Sequence, residues 1–173
     1  MVYDENLKKF DREIDEAMFG PELVHEEGGE LLWRKLRLGK LEEYLKEEGE
    51  EGKLSGWLKK AQPLKGAKVI SYHKTYIYFA ERFGFDIAGE LEEKPGIAPP
   101  PKHLESLLDL VRREKVRIIL NDVFYATSAA DYVAEKTGAK VLVVPIDVSG
   151  VDGVDTYIKM MDYILDKMVA GIK

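Results

Sequence analysis

The chain contains no cysteine. That excludes disulfides, thiolate metal sites and cysteine nucleophiles. No run of apolar residues is long enough to span a bilayer. Residues 1–9 lack the apolar centre of a signal peptide, so the chain is either cytosolic or directed by a segment outside this sequence. Excess positive charge is missing too: 26 Lys and Arg stand against 32 Asp and Glu, for a net charge of −6. A nucleic-acid surface needs clustered surplus cations, so no nucleic-acid partner is expected. Nucleotide-binding fingerprints are absent, with neither Gly-x-Gly-x-x-Gly nor a Walker loop. Gly-x-Ser-x-Gly and His-Glu-x-x-His are absent as well. A protein that only holds an ion needs ligands and no general base, so these absences favour binding over catalysis, and the chain is expected not to be an enzyme.

What remains is the composition of a soluble globular protein, 45% hydrophobic and 34% charged. At 173 residues the chain can build one ordinary domain with a real core and is short for two. Two parts are legible, residues 1–64 and residues 65–173. In the first, Leu7, Phe10, Ile14, Ala17 and Met18 recur at helical spacing and form one apolar stripe. Gly20-Pro21 stops that helix. Leu31 to Leu45 predicts a second helix, residues 47–52 an exposed loop, and residues 54–61 a short helix carrying Trp57.

The second part alternates strand and helix. Strands are predicted at residues 68–72, 85–89, 116–121 and 140–145. Helices are predicted at 74–83, 102–114, 126–137 and 154–168, with a proline-rich loop at 94–101. Gly84 and Gly138 sit where helix C-caps belong. Val141-Leu142-Val143-Val144 is continuously apolar, the pattern of a parallel strand covered on both faces. The expected fold class is therefore α/β: a four-stranded parallel doubly wound sheet flanked by helices and preceded by a helical segment.

In such a sheet ligands bind beyond the carboxyl ends of the strands. The polar residues there are His73 after the first strand, Asn121-Asp122 after the third, and Asp147 after the fourth. His and Asp supply the nitrogen and oxygen donors that suit a borderline divalent ion such as zinc. Each has a plainer role beside it. His73 can be a neighbour of a helix N-cap, Asp122 can cap the helix that follows, and Asp147 can end its strand against Ser149-Gly150. His25 and His103 read as surface residues.

The run from Lys68 through Ser71-Tyr72-His73 to Phe83-Gly84 resembles the segment that opens the C-terminal lobe of zinc and manganese receptors, the substrate-binding proteins of ABC importers. Residues 95–116 resemble that family's proline-rich loop and helix. Ile119-Leu120-Asn121-Asp122 stands where the family has Phe-x-Glu. Residues 134–141 resemble its Glu-Thr-Gly-Ala-Lys-Val segment, and Pro145-Ile146-Asp147 its C-terminal metal loop. The first helix more weakly resembles the end of the helix joining the two lobes, which makes residues 1–64 an interlobe helix with an insertion. The resemblance implies a lobe cut off from most of its N-terminal partner lobe. It further implies a transported divalent ion, zinc or alternatively manganese, held by His73 and Asp147, with Asp122 near them. Partners would be the N-terminal lobe and the ABC permease, and the complete protein would be periplasmic or otherwise extracytoplasmic. The alternative class is a cytosolic α/β enzyme or regulatory domain that shares the architecture.

Overall fold

The computed structural model describes residues 2–94 and 96–173; Pro95, in the expected proline-rich loop, and Met1 lie outside the described residues. The chain divides into two compact units, Met1–Ala61 and Gln62–Lys173.

The first unit is helical. Helix α1 (Val2–Phe19) ends at Gly20, and Pro21 opens α2 (Pro21–Glu27). Gly28 separates α2 from α3 (Gly29–Arg37), and α4 (Leu41–Glu48) follows Gly39. The single helix expected from Leu31 to Leu45 is therefore broken. Gly39 has a φ of 66°, a conformation open to glycine and incompatible with a continuous helix. A 3₁₀ turn (Glu51–Lys53) and the short α5 (Trp57–Lys60) complete the unit. Gly56 lets α5 start close to the end of α1, since a Cβ there would stand 2.3 Å from the Ala17 carbonyl oxygen. Phe19 packs edge-on against Trp33, whose indole N–H donates to Asp15 Oδ1 at 2.6 Å.

The second unit carries the sheet. Its strands are β1 (Lys68–Ser71), β2 (Asp86–Glu90), β3 (Ile118–Asp122) and β4 (Lys140–Val144). All pairings are parallel, in the order β2-β1-β3-β4. The linking helices are α6 (Ile77–Phe83), α7 (Pro101–Glu114) and α8 (Ser128–Thr137), with α9 (Tyr157–Ile172) at the end. Side chains alternate between faces along each strand. Ile70 and Ile119 point to one face and form a core with Leu107 and Val111 of α7 and Ala130 and Val133 of α8. Ile118 points to the other face, where Gly171 of α9 comes so close that a Cβ would stand 3.5 Å from the Ile118 side chain. All five residues of β3 are buried, as a central strand between two helical layers requires. Gly84 and Gly138 cap α6 and α8 in the left-handed conformation.

Helix α6 starts three residues later than expected. Residues 74–76 form a turn instead, in which the Thr75 N–H returns to the His73 carbonyl at 2.8 Å.

Candidate functional site

A parallel sheet gathers its strand ends on one edge. His73 follows β1, Glu92 follows β2, Asp122 closes β3 and Asp147 follows β4. Strand order then decides which of them meet. β1 lies between β2 and β3, so His73 has Glu92 on one side and Asp122 on the other. β4 is two strands away from β1, or about 10 Å at the usual interstrand spacing.

His73 is partly exposed. Its Nδ1 stands 2.6 Å from Glu92 Oε2, on a carboxyl side chain that is only 3% exposed. The other carboxylate oxygen of Glu92 accepts the Gly96 N–H at 2.6 Å. The Glu92 backbone N–H donates to the Tyr72 carbonyl at 3.0 Å, which ties the residue to the end of β1.

Asp122 is fully buried. Its Oδ1 accepts the hydroxyl of Tyr76, the residue just before α6. Burial pushes the Asp122 carboxyl above the usual carboxylate range, while the Tyr76 hydroxyl and the nearby His73 pull against that shift. Burial, with Asp122 beside it, drives the Tyr76 phenol upward. Asp122 does not cap the next helix with its side chain. Its carbonyl accepts the Tyr125 N–H at 3.0 Å, and α8 begins only at Ser128.

Asp147 is exposed in the turn after β4. Its carbonyl, not its carboxylate, accepts the Gly150 N–H at 3.1 Å. No ion pair joins Asp147 to His73 among the described residues, and none of their His, Asp and Glu side chains form a group of three able to hold a metal. Of the remaining histidines, His25 is exposed in the first unit, and His103 is half-buried with Nε2 2.9 Å from the Glu90 carbonyl oxygen.

Three buried oxygens at this edge have no hydrogen-bond partner, Ser71 Oγ, Asn121 Oδ1 and Asp122 Oδ2, while Glu92 Oε2 lies against the His73 ring. Over the same strand ends, Tyr72 and Tyr125 stack with ring centroids 4.1 Å apart. Burial and the neighbouring Glu92 raise the Tyr72 phenol. Glu92 is the residue that the sequence candidates omit. The same strand-end rule finds it once applied to β2, whose last residue, Glu90, pairs with Ser71.

The fold is similar to that of several solved structures. It matches the laminin-binding adhesin of Streptococcus agalactiae (mutant structure) over 88% of this chain and 54% of that one, at 23% identity and a TM-score of 0.58. It also matches the Pseudomonas aeruginosa solute-binding protein FpvC in complex with Mn2+ (83% and 58% covered, 19% identity, TM-score 0.54). A crystal structure of ZnuA matches with 88% and 55% covered, 17% identity and a TM-score of 0.55. The chain thus spans little more than half the length of these structures. No curated protein matches it in sequence. The sequence model of the periplasmic component A of zinc-uptake complexes, ZnuA, matches residues 45–171, and the chain belongs to that family. The match includes His73, Glu92, Asp122 and Asp147. It is a family of transport receptors and not of enzymes.

Proposed function

We propose that the chain is the C-terminal lobe of an extracytoplasmic receptor that captures a divalent metal ion, zinc foremost and manganese as the alternative, and presents it to an ABC permease. The observation that carries this is the set of buried, unpartnered oxygens of Ser71, Asn121 and Asp122 at the strand ends that His73 also follows, within the segment that matches a zinc-uptake family. Buried acceptors without donors are costly, and each needs a physical account. A cation at the sheet edge supplies one. An imidazole and carboxylates are the donor types that zinc takes in proteins.

In this reading His73 is the principal ligand of the lobe. Asp147 adds an oxygen when its exposed turn moves toward His73. Asp122, buried and held by Tyr76, contributes its field from below. No reaction is catalysed. The rest of the coordination sphere comes from a second lobe, and α1 is the end of the helix that joins the two. Its exposed Tyr3 and Leu7 support a further lobe covering it.

The test is calorimetric. A closed zinc site needs about four protein ligands, so this chain alone should bind zinc weakly and a receptor with both lobes tightly. In the two-lobe receptor His73→Ala should cost at least the roughly tenfold to hundredfold known for the loss of groups that merely support a ligand. Equal zinc binding with and without His73 would remove it from the site.

A further inference from the structure

We propose that Glu92 positions His73: its carboxylate holds the Nδ1 side of the ring, so that Nε2 is the nitrogen turned toward the ion. This rests on the metal-receptor reading of the site. Glu92 is fixed at two points before it meets His73. Its backbone N–H is bonded to the Tyr72 carbonyl and its Oε1 to the Gly96 N–H. Only Oε2 is left, and it lies against Nδ1 at 2.6 Å. No Lys or Arg forms an ion pair with this buried carboxylate among the described residues.

The contact has the length of a hydrogen-bonded support rather than of two ligands sharing an ion. Two donors on one tetrahedral zinc, each with a bond of about 2.0–2.1 Å, stand about 3.3 Å apart. The observed 2.6 Å is shorter than that and close to a charge-assisted N–H···O contact. An unprotonated Nδ1 would instead aim its lone pair at an anion and be repelled. The contact therefore selects the tautomer that carries its proton on Nδ1. Nε2 is then left as the acceptor nitrogen of the ring. The same carboxylate links His73 through Gly96 to the loop that precedes α7.

The tautomer can be read without any metal. In the full 173-residue chain, labelled with nitrogen-15 and held well above the histidine range, long-range proton–nitrogen spectra resolve three imidazoles, and His73→Ala assigns the one of interest. The expected result is an Nδ1–H tautomer at His73 that Glu92→Ala converts to the Nε2–H form preferred by an unrestrained ring. Glu92→Gln keeps the shape and an acceptor oxygen, so it should retain the Nδ1–H form, and circular dichroism confirms that both variants fold. In the two-lobe receptor, zinc competition against a chromophoric chelator should show about a tenfold to hundredfold loss for Glu92→Ala. An Nε2–H tautomer in the unmodified chain, or a tautomer or zinc affinity unmoved by Glu92→Ala, overturns the proposal. If zinc binding depends on His73 but the tautomer ignores Glu92, positioning fails and the receptor reading stands. If the tautomer follows Glu92 but zinc binding ignores His73, the receptor reading fails instead, and the metal role of Glu92 falls with it.

Discussion

Replacing Tyr76 by Phe removes one oxygen and nothing else. Tyr76 is 4% exposed and Asp122 is 0% exposed, so no water reaches the gap easily. Asp122 Oδ2 already lacks a partner, and Oδ1 has only the Tyr76 hydroxyl. The variant thus leaves a buried carboxyl with no donor on either oxygen. Leaving a buried acceptor unsatisfied costs about 1–3 kcal/mol, with charged acceptors at the upper end. A loss of about 2 kcal/mol corresponds to about 4–8 °C in Tm for a chain of this length. Thermal unfolding by circular dichroism reads the shift, and urea unfolding gives the free energy. A double-mutant cycle with Asp122→Asn then isolates the pair, and the coupling should reach about 1 kcal/mol or more, since the two groups touch. A Tyr76→Phe variant within about 0.5 kcal/mol of the parent, the range of ordinary surface substitutions, would show that Asp122 does not depend on Tyr76.

Ile119→Ala tests the other face of the sheet: the side chain is fully buried among Ile70, Leu107 and Val133, and the truncation should cost about 2–5 kcal/mol in urea unfolding. Glu114 tests the surface, where the Lys68 ammonium, with Arg113 beside it, holds its carboxyl below the usual 4.5. A depressed folded-state pKa gives stability that is present above the unfolded value and lost as pH falls through the folded one. Glu114→Gln should therefore show a shallower loss of stability on acidification from about pH 4.5 downward, an effect that added salt reduces; identical acid profiles for the two proteins would contradict it.

The sheet was readable because parallel strands buried on both faces must be apolar without interruption. Val69-Ile70 and Ile118 to Leu120 carry that pattern, Val141 to Val144 carry it in sequence although β4 is a half-buried edge strand, and glycines at the ends of α6 and α8 mark the returns. The first unit was less readable. A leucine pattern from Leu31 to Leu45 runs through Gly39, and periodicity alone does not register that one backbone position has left the helical region. The start of α6 was misplaced for a local and a tertiary reason. Residues 74–76 are Lys-Thr-Tyr, with two weak helix formers, and the Tyr76 side chain is bonded to Asp122 on β3. No local signal encodes that contact.

The same distinction governs the site. Which residues lie at the carboxyl edge follows from topology, so His73, Asp122 and Asp147 could be named from strand ends. Which of them touch follows from strand order, and the sequence does not state that β1 is inserted between β2 and β3. Once it is, the neighbours of His73 are fixed. Glu92 comes from one side by a backbone hydrogen bond to Tyr72, and Asp122 comes from the other along β3. Glu92 was hard to see because β2 is Asp-Ile-Ala-Gly-Glu, a weakly apolar strand at the sheet edge, and because Glu93 follows it with the same charge. The Gly96 N–H, the Tyr72 carbonyl and the His73 ring distinguish the buried Glu92 from its neighbour. Asp147 is the converse case. It was prominent in sequence because it ends a strong strand, yet β4 pairs with β3 alone and leaves it two strands from His73. Whether Asp147 shares an ion with His73 is then decided by the turn after β4. That turn holds Ser149 at a φ of 66° and is pinned by the Ser149 N–H on the Val154 carbonyl at 2.6 Å.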